Sequence, residues 1–364
     1  MVCTVQTAKM TDKIENFTKE SIQLLKSLIS TPSFSREEDK TAVIIRNFLD
    51  KNQIAYSTKA NNTWCYNKFF DPKKPTILLN SHHDTVKPNP GYTRDPFTPD
   101  IEGDKLFGLG SNDAGGCLVS LLAAFRYFYD KKELTYNLCY AATAEEEISG
   151  RDGIESILTE LESLDFAIVG EPTLMHLAIA ERGLMVIDCE AIGKAGHAAR
   201  NEGENAIYKA IEDINWFRTY RFPKESEVFG PISMNVTIIN AGSQHNVVPA
   251  SCKFTVDIRV TDAYRNEEVL AIIQENISSQ AIARSTRLKP SSIAVNHPIV
   301  QAGLAMGRET YGSPTTSDQA LLDIPSLKLG PGDSARSHMA DEYIYIYEIE
   351  EGIKLYIKLL NSIL

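Results

Sequence analysis

The sequence predicts an α/β protein with a mostly parallel sheet and a smaller α+β domain inserted into it. Three observations lead there. Short apolar runs alternate with amphipathic helical stretches over residues 13–169 and again after residue 326. Between about residues 182 and 290 the strand-like runs change character and alternate apolar with polar residues, as in a sheet with one solvated face. Histidine and carboxylate side chains recur directly after the apolar runs, where open α/β sheets build their sites.

Taken in order, residues 13–29 place Ile14, Phe17, Ile22, Leu24, Leu25, Leu28 and Ile29 at helical spacing, and Thr31-Pro32 stops that helix. A second helix is expected over 36–51, with Ala42, Ile44, Ile45 and Phe48 inward. Residues 75–80 form a short apolar run bounded by turn chemistry and read as a buried strand. A Leu-, Ala- and Phe-rich helix covers 115–129. Strands come next at 136–143 and 165–169, another at 326–329, and 344–364 reads as a closing amphipathic helix. In the insert, 186–191, 233–239 and 252–260 read as strands and 205–218 and 266–282 as helices. That order is βαββαβ-like, the order of a ferredoxin-like α+β unit. The expected division is a larger domain from 1–181 and 291–364 and an insert from 182–290.

Composition narrows the classes. A net charge of −11 argues against nucleic acid and against an anionic membrane surface. No run of 18 or more apolar residues appears, and the first ten residues lack a charged-then-apolar signal pattern, with Met10 as an alternative start. The six cysteines are scattered with no CxxC pair, so reduced thiols in a cytoplasmic protein are expected.

The informative residues lie just past the end of each strand. The run at 76–80 leads to Ser81-His82-His83-Asp84, and Leu106-Phe107 leads to Gly108-Leu-Gly-Ser-Asn-Asp113. The run at 136–143 leads to Glu145-Glu146-Glu147, that at 165–169 to Gly170-Glu171-Pro172, and that at 326–329 to a Gly-Pro-Gly loop and His338. Five segments therefore bring His, Asp, Glu, Glu and His to one sheet edge. Two adjacent zinc ions need one shared carboxylate and about two further nitrogen or oxygen ligands each. Asp113 as bridge, with His82 and Glu171 on one ion and Glu147 and His338 on the other, meets that count. Cobalt or manganese fits the same ligands. Asp84 is placed to orient His82, and strand alternation turns His83 away.

These motifs, with Thr143-Ala-Glu-Glu-Glu147 and Gly170-Glu-Pro-Thr173, resemble the M20 metallopeptidase family across nearly the whole chain. The likeness is nearest to its acetylornithine deacetylase and succinyl-diaminopimelate desuccinylase branch. The resemblance implies a zinc-peptidase-like catalytic domain and a lid that also dimerises, giving a homodimer. It makes His82, Asp113, Glu147, Glu171 and His338 the metal ligands and Glu146 the general base, with Asp84 beside it in the catalytic set. In the insert it implies that His197, in Gly193-Lys-Ala-Gly-His197, holds the scissile carbonyl oxygen, from its own or a neighbouring subunit. Asn246 would contact substrate, Arg259 would grip the substrate carboxylate with its forked guanidinium, and Arg182 would assist. Two departures stand out. The family's Gly-His-Thr-Asp reads Ser81-His-His-Asp84, and its Asp-Met-Lys-Gly-Gly reads Asp113-Ala-Gly-Gly116, without the lysine.

The implied reaction is hydrolysis of a small N-acyl amino acid, with N2-acetyl- or N2-succinyl-ornithine in arginine biosynthesis as the leading substrate. The alternatives within the family are a succinyl-diaminopimelate desuccinylase, an N-acetyl-lysine deacetylase, a dipeptidase or an aminoacylase. Residues near Arg259 and Thr315-Thr-Ser-Asp318 are expected to decide among them. The alternative of another class is a non-catalytic binding protein on the same fold, which the complete ligand set and base disfavour. A serine hydrolase is disfavoured because no Gly-x-Ser-x-Gly elbow exists.

Overall fold

The computed structural model describes residues 2–200 and 202–364, with side chains from residue 12 onward. Cys3 and Met10 therefore lie outside the described side chains. The fold is α/β with a parallel centre, and the chain separates into two compact units. The first comprises residues 1–179, 293–311 and 317–364, and the second residues 180–292 and 312–316.

The first unit is built on a sheet whose strands run Ser57–Lys59, Asn62–Tyr66, Asn137–Thr143, Thr76–His82, Leu164–Val169 and Ser326–Lys328. The central four are parallel, which demands burial on both faces. Every residue of Thr76–His82 and of Asn137–Thr143 is indeed buried. The register sets His82 beside Thr143 and Asn80 beside Val169, so residues just beyond these strands emerge side by side. Helices Val2–Ile29, Gly116–Phe128 and Ile346–Asn361 pack on one another. Phe125, Phe128, Tyr140, Phe166 and Tyr356 are fully buried in this core; each contributes roughly 1.5–3 kcal/mol by leaving water.

The second unit is a four-stranded antiparallel sheet in the order Ser233–Ala241, Ser251–Val260, Gly183–Ile192, Gln280–Ala283, with helices Ala206–Thr219 and Asn266–Asn276. Its strict alternation buries Phe254, Val256, Ile258 and Val260 in a separate core.

Four expected helices change at their ends, the first of which begins at Val2 rather than 13. The expected start at residue 36 moves to Asp39, because Arg36 adopts a left-handed φ of 76°. The helix expected over 266–282 stops at Asn276: the N–H groups of Ser278 and Ser279 turn to the Asp213 carboxylate at 3.0 and 2.9 Å, and Gln280–Ala283 joins the sheet. The closing helix begins at Ile346 rather than 344, since Tyr343–Tyr345 pairs as a strand with Lys105–Phe107. Periodicity cannot mark these ends, because tertiary partners decide them.

Candidate metal centre

His82 is the last residue of its buried strand. Its Nδ1 lies 3.0 Å from the Asp84 main-chain carbonyl, which requires a proton on Nδ1, so that in the neutral ring Nε2 is the free acceptor. The carboxylate expected to orient His82 is 3.5 Å away and has another duty. Asp84 Oδ1 accepts from the Glu146 N–H at 3.0 Å, and Oδ2 accepts from the Glu147 N–H at 3.2 Å and the Ser35 hydroxyl at 2.7 Å. Asp84 thus orients the ring chiefly through its carbonyl, while its carboxylate holds the turn that carries the two glutamates. Burial would raise its carboxyl, but His82, Ser35 and the Glu146 N–H hold it below the usual range.

That turn, Glu146–Ile148, is a single helical turn between left-handed residues, Glu145 at φ 56° and Ser149 at φ 45°. Such backbone is stored where neighbours over-determine it. The twist separates three consecutive glutamates. Glu146 Oε2 comes to 3.8 Å from His82 Nε2 and Glu147 Oε2 to 3.0 Å from His338 Nε2, whereas Glu145 turns away to the Asp152 N–H and toward Arg36. Asp113 lies in a glycine-rich loop whose Gly110 has φ 73°, and a Cβ there would sit 2.6 Å from Thr85 Cγ2. Glu171 comes after Leu164–Val169, and His338 is half-exposed at φ 60°.

The ligand atoms fall into two overlapping groups, His82–Asp113–Glu171 and Asp113–Glu147–His338, in each of which they lie within 4.8 Å of one another. Asp113 serves both with different oxygens: Oδ1 is 3.4 Å from His82 Nε2 and Oδ2 is 3.6 Å from His338 Nε2. Two ligands about 2.1 Å from one tetrahedral ion stand about 3.4 Å apart, so these spacings suit zinc-sized coordination. His82 Nε2 and Glu171 Oε1 are buried without a hydrogen-bond partner, a state that a cation relieves. Electrostatics agree. Burial and then repulsion from neighbouring carboxylates push Glu146 well above its usual range and Glu171 up to about 8. The bond to Glu147 raises His338 to about 9, and the surrounding carboxylates outweigh burial to raise His82. Four acids crowded on two imidazoles need added positive charge, which divalent ions supply. The residues present fit such ions.

His83 points elsewhere. Its Nε2–H donates to the Asn61 carbonyl at 3.1 Å and its Nδ1 meets the Thr41 hydroxyl at 2.9 Å. Burial lowers it to about 4. In the second unit, His197 and Asn246 share one ribbon, since His197 pairs with Val247 and the Ala198 N–H reaches the Asn246 carbonyl at 3.1 Å. His197 is exposed, and its Nδ1 accepts from the Ala199 N–H at 3.2 Å, so the neutral ring carries its proton on Nε2. Arg259 is clamped by Asp257 of its own strand at 2.9 and 3.2 Å, which leaves three of its N–H donors available. Arg182 donates to the Phe229 carbonyl at 3.1 Å and lies over that ring.

Three further residues belong to this neighbourhood, two of which escape sequence reading. Asp318, of the segment expected to bear on the substrate, is buried and accepts from Thr143 Oγ1 at 2.9 Å; burial pushes it to about 6. Ser35 and Glu342 carry no motif at all. Only the converging N–H and O–H groups on their partners mark them.

Fold and site together define the class, a metal-dependent hydrolase with two overlapping candidate donor groups. The chain matches the model of peptidase family M20/M25/M40 over residues 78–362 and belongs to that family, so it is a metal-dependent hydrolase. It is 27% identical to an acetylornithine deacetylase of Proteus mirabilis, covering 94% of this chain and 96% of that protein. It is 28% identical to a LysW-lysine/LysW-ornithine hydrolase of Sulfurisphaera tokodaii, covering 94% and 95%. A succinyl-diaminopimelate desuccinylase of Rhizorhabdus wittichii is 24% identical over 80% and 82%. Among solved structures, the aminopeptidase PepT of Bacillus cereus superposes with a TM-score of 0.74 at 17% identity, covering 95% of this chain and 98% of that one. Bacillus subtilis YXEP, described as a dinuclear metal-binding M20 peptidase, gives 0.70 at 15% identity over 96% and 98%.

Proposed function

We propose that this protein is a zinc enzyme that hydrolyses N2-acetyl- or N2-succinyl-ornithine, releasing the carboxylic acid and ornithine, in cytoplasmic arginine biosynthesis. The observation that carries the reading is the pair of donor groups sharing Asp113, with Glu146 beside them. The substrate choice rests on the relatives named acetylornithine deacetylase. His82, Asp113 and Glu171 hold one ion, and Asp113, Glu147 and His338 the other. When bound, the ions polarise the amide carbonyl and make water acidic enough to attack near neutral pH.

Glu146 takes the proton of the attacking water and hands it to the leaving nitrogen, a task for a carboxylate that burial has made more basic than usual. His197 donates its Nε2–H to the carbonyl oxygen as the tetrahedral intermediate forms. Arg259 offers its free N–H donors to the substrate carboxylate, with Asn246 and Arg182 as further contacts. The second unit acts as lid and dimerisation surface. In support, its edge strand Ser233–Ala241 exposes Ile238 and Ile239, and the helix packed on it exposes Tyr208 and Ile211. For the cytoplasm, five cysteines are free thiols, all buried, and among the described residues no helix is long and apolar enough to cross a membrane.

The test is a panel of N-acetyl and N-succinyl derivatives of ornithine, lysine and diaminopimelate, assayed with zinc-loaded and chelated protein. N-acyl-ornithine turnover that disappears on chelation is expected. A preference for a lysine or diaminopimelate derivative would overturn the substrate assignment, and chelator-insensitive turnover would overturn the metal assignment.

A further inference from the structure

Asp113 is the one side chain common to both donor groups, so whatever aims it governs both ion sites. Three backbone N–H groups of its loop converge on one buried carboxylate. Glu342 Oε1 accepts from Asn112 at 2.8 Å and from Asp113 itself at 2.9 Å, and Oε2 accepts from Gly110 at 3.1 Å. The Glu342 carbonyl adds a fourth tie, to the Gly108 N–H at 2.9 Å. The side chain is only 1% exposed, so no water competes for these bonds. A carboxyl group suits this place because both its oxygens accept, whereas an amide turns an NH2 against one of the three N–H groups. Glu342 also sits four residues beyond His338. The same stretch is tied to the loop again by Asn112, which donates to the Asp333 carbonyl at 3.0 Å and accepts from the Asp333 N–H at 3.1 Å.

Resting on the metal reading above, we propose that Glu342 is the positioning residue of the metal centre, fixing the Asp113 backbone so that its two oxygens address both ions, and locking the loop to the segment that carries His338. Outer partners of metal ligands are worth about 10–100-fold in affinity when removed. Because Asp113 is shared, the loss must appear at both sites together. Removing a ligand of one ion, as in His338→Ala, weakens chiefly that one.

The experiment titrates metal-free wild type, Glu342→Gln, Glu342→Asp and His338→Ala with zinc against a chromophoric chelator, counts bound ions by native mass spectrometry, and monitors folding by circular dichroism. Wild type binding fewer than two ions would sink the metal reading itself. With two ions in wild type, the expected result is a folded Glu342→Gln protein with both affinities lowered about 10-fold or more. The shortened Glu342→Asp should lie between it and wild type. Unchanged affinities in folded Glu342→Gln, or loss at one site alone, would overturn the proposal. Failure of both variants to fold would make Glu342 a folding residue instead, and would overturn it equally.

Discussion

Replacing Asp84 by Asn should slow the enzyme without emptying it of metal. The carboxylate serves four groups: the Glu146 N–H and the His82 ring on Oδ1, and the Glu147 N–H and Ser35 hydroxyl on Oδ2. An amide has one acceptor oxygen. With its NH2 at the Oδ1 position it would confront both the Glu146 N–H and the protonated His82 Nδ1. The better orientation puts the NH2 at Oδ2, where Ser35 can turn to accept and only the Glu147 N–H loses its partner. One charge-assisted hydrogen bond is then lost, about 1.5–3 kcal/mol. If the strain falls on the turn that aims Glu146 and Glu147, that energy corresponds to a fall in kcat of roughly 10- to 150-fold. Steady-state kinetics on the best acyl-ornithine, with zinc content measured on the same samples, tests this. Ser35→Ala, which removes one donor and leaves no buried group unpaired, should stay within about threefold of wild type. A fully loaded Asp84→Asn enzyme with wild-type kcat would refute the view that this carboxylate holds the glutamate turn.

Glu146→Ala should lower kcat by about 10²–10⁴-fold, the range for a lost general base, while the protein keeps both ions; full activity would remove Glu146 from the mechanism. His83 provides a pH signature for stability. Its folded value of about 4 lies below the ordinary 6.5, so the unfolded chain takes up the proton first. Stability from this group is whole above about pH 6.5, is lost as pH falls toward 4, and totals about 3 kcal/mol. Urea unfolding of wild type and His83→Gln at pH 7 and 4.5 should show a smaller pH loss in the variant, and equal losses would contradict the assignment. Finally, Ile238→Asp together with Ile239→Asp should leave a folded monomer by analytical ultracentrifugation if the exposed edge strand joins two subunits. A dimer as tight as wild type would place the interface elsewhere.

Much of the site was readable because its ligands obey a rule of sheet topology. In an open α/β sheet the carboxyl ends of neighbouring strands meet at one edge, so His82, Glu146, Glu147 and Glu171 could be gathered from strand positions alone. Separating Glu145 from Glu146 was another matter. Three consecutive glutamates differ only in direction, and two left-handed residues, Glu145 and Ser149, fix those directions.

The sequence by itself therefore determined most of the helices and the buried central strands, and which residue types reach the sheet edge, because periodicity and composition act over short spans; strands such as Asn62–Tyr66 and Gln280–Ala283 it did not mark. It also determined that His83 faces away from His82, since adjacent strand residues point oppositely. Only the tertiary structure decided who supports whom. That the Asp84 carboxylate serves the glutamate turn more than the imidazole, that Asp318 is buried under Thr143, and that Glu342 gathers three N–H groups of the Asp113 loop are facts about segments far apart in the chain. The carboxylate of Glu342 and the N–H of Asp113 are 229 residues apart, and no local pattern encodes a hydrogen bond of that span. It exists because folding buries both partners and leaves each no other way to be satisfied.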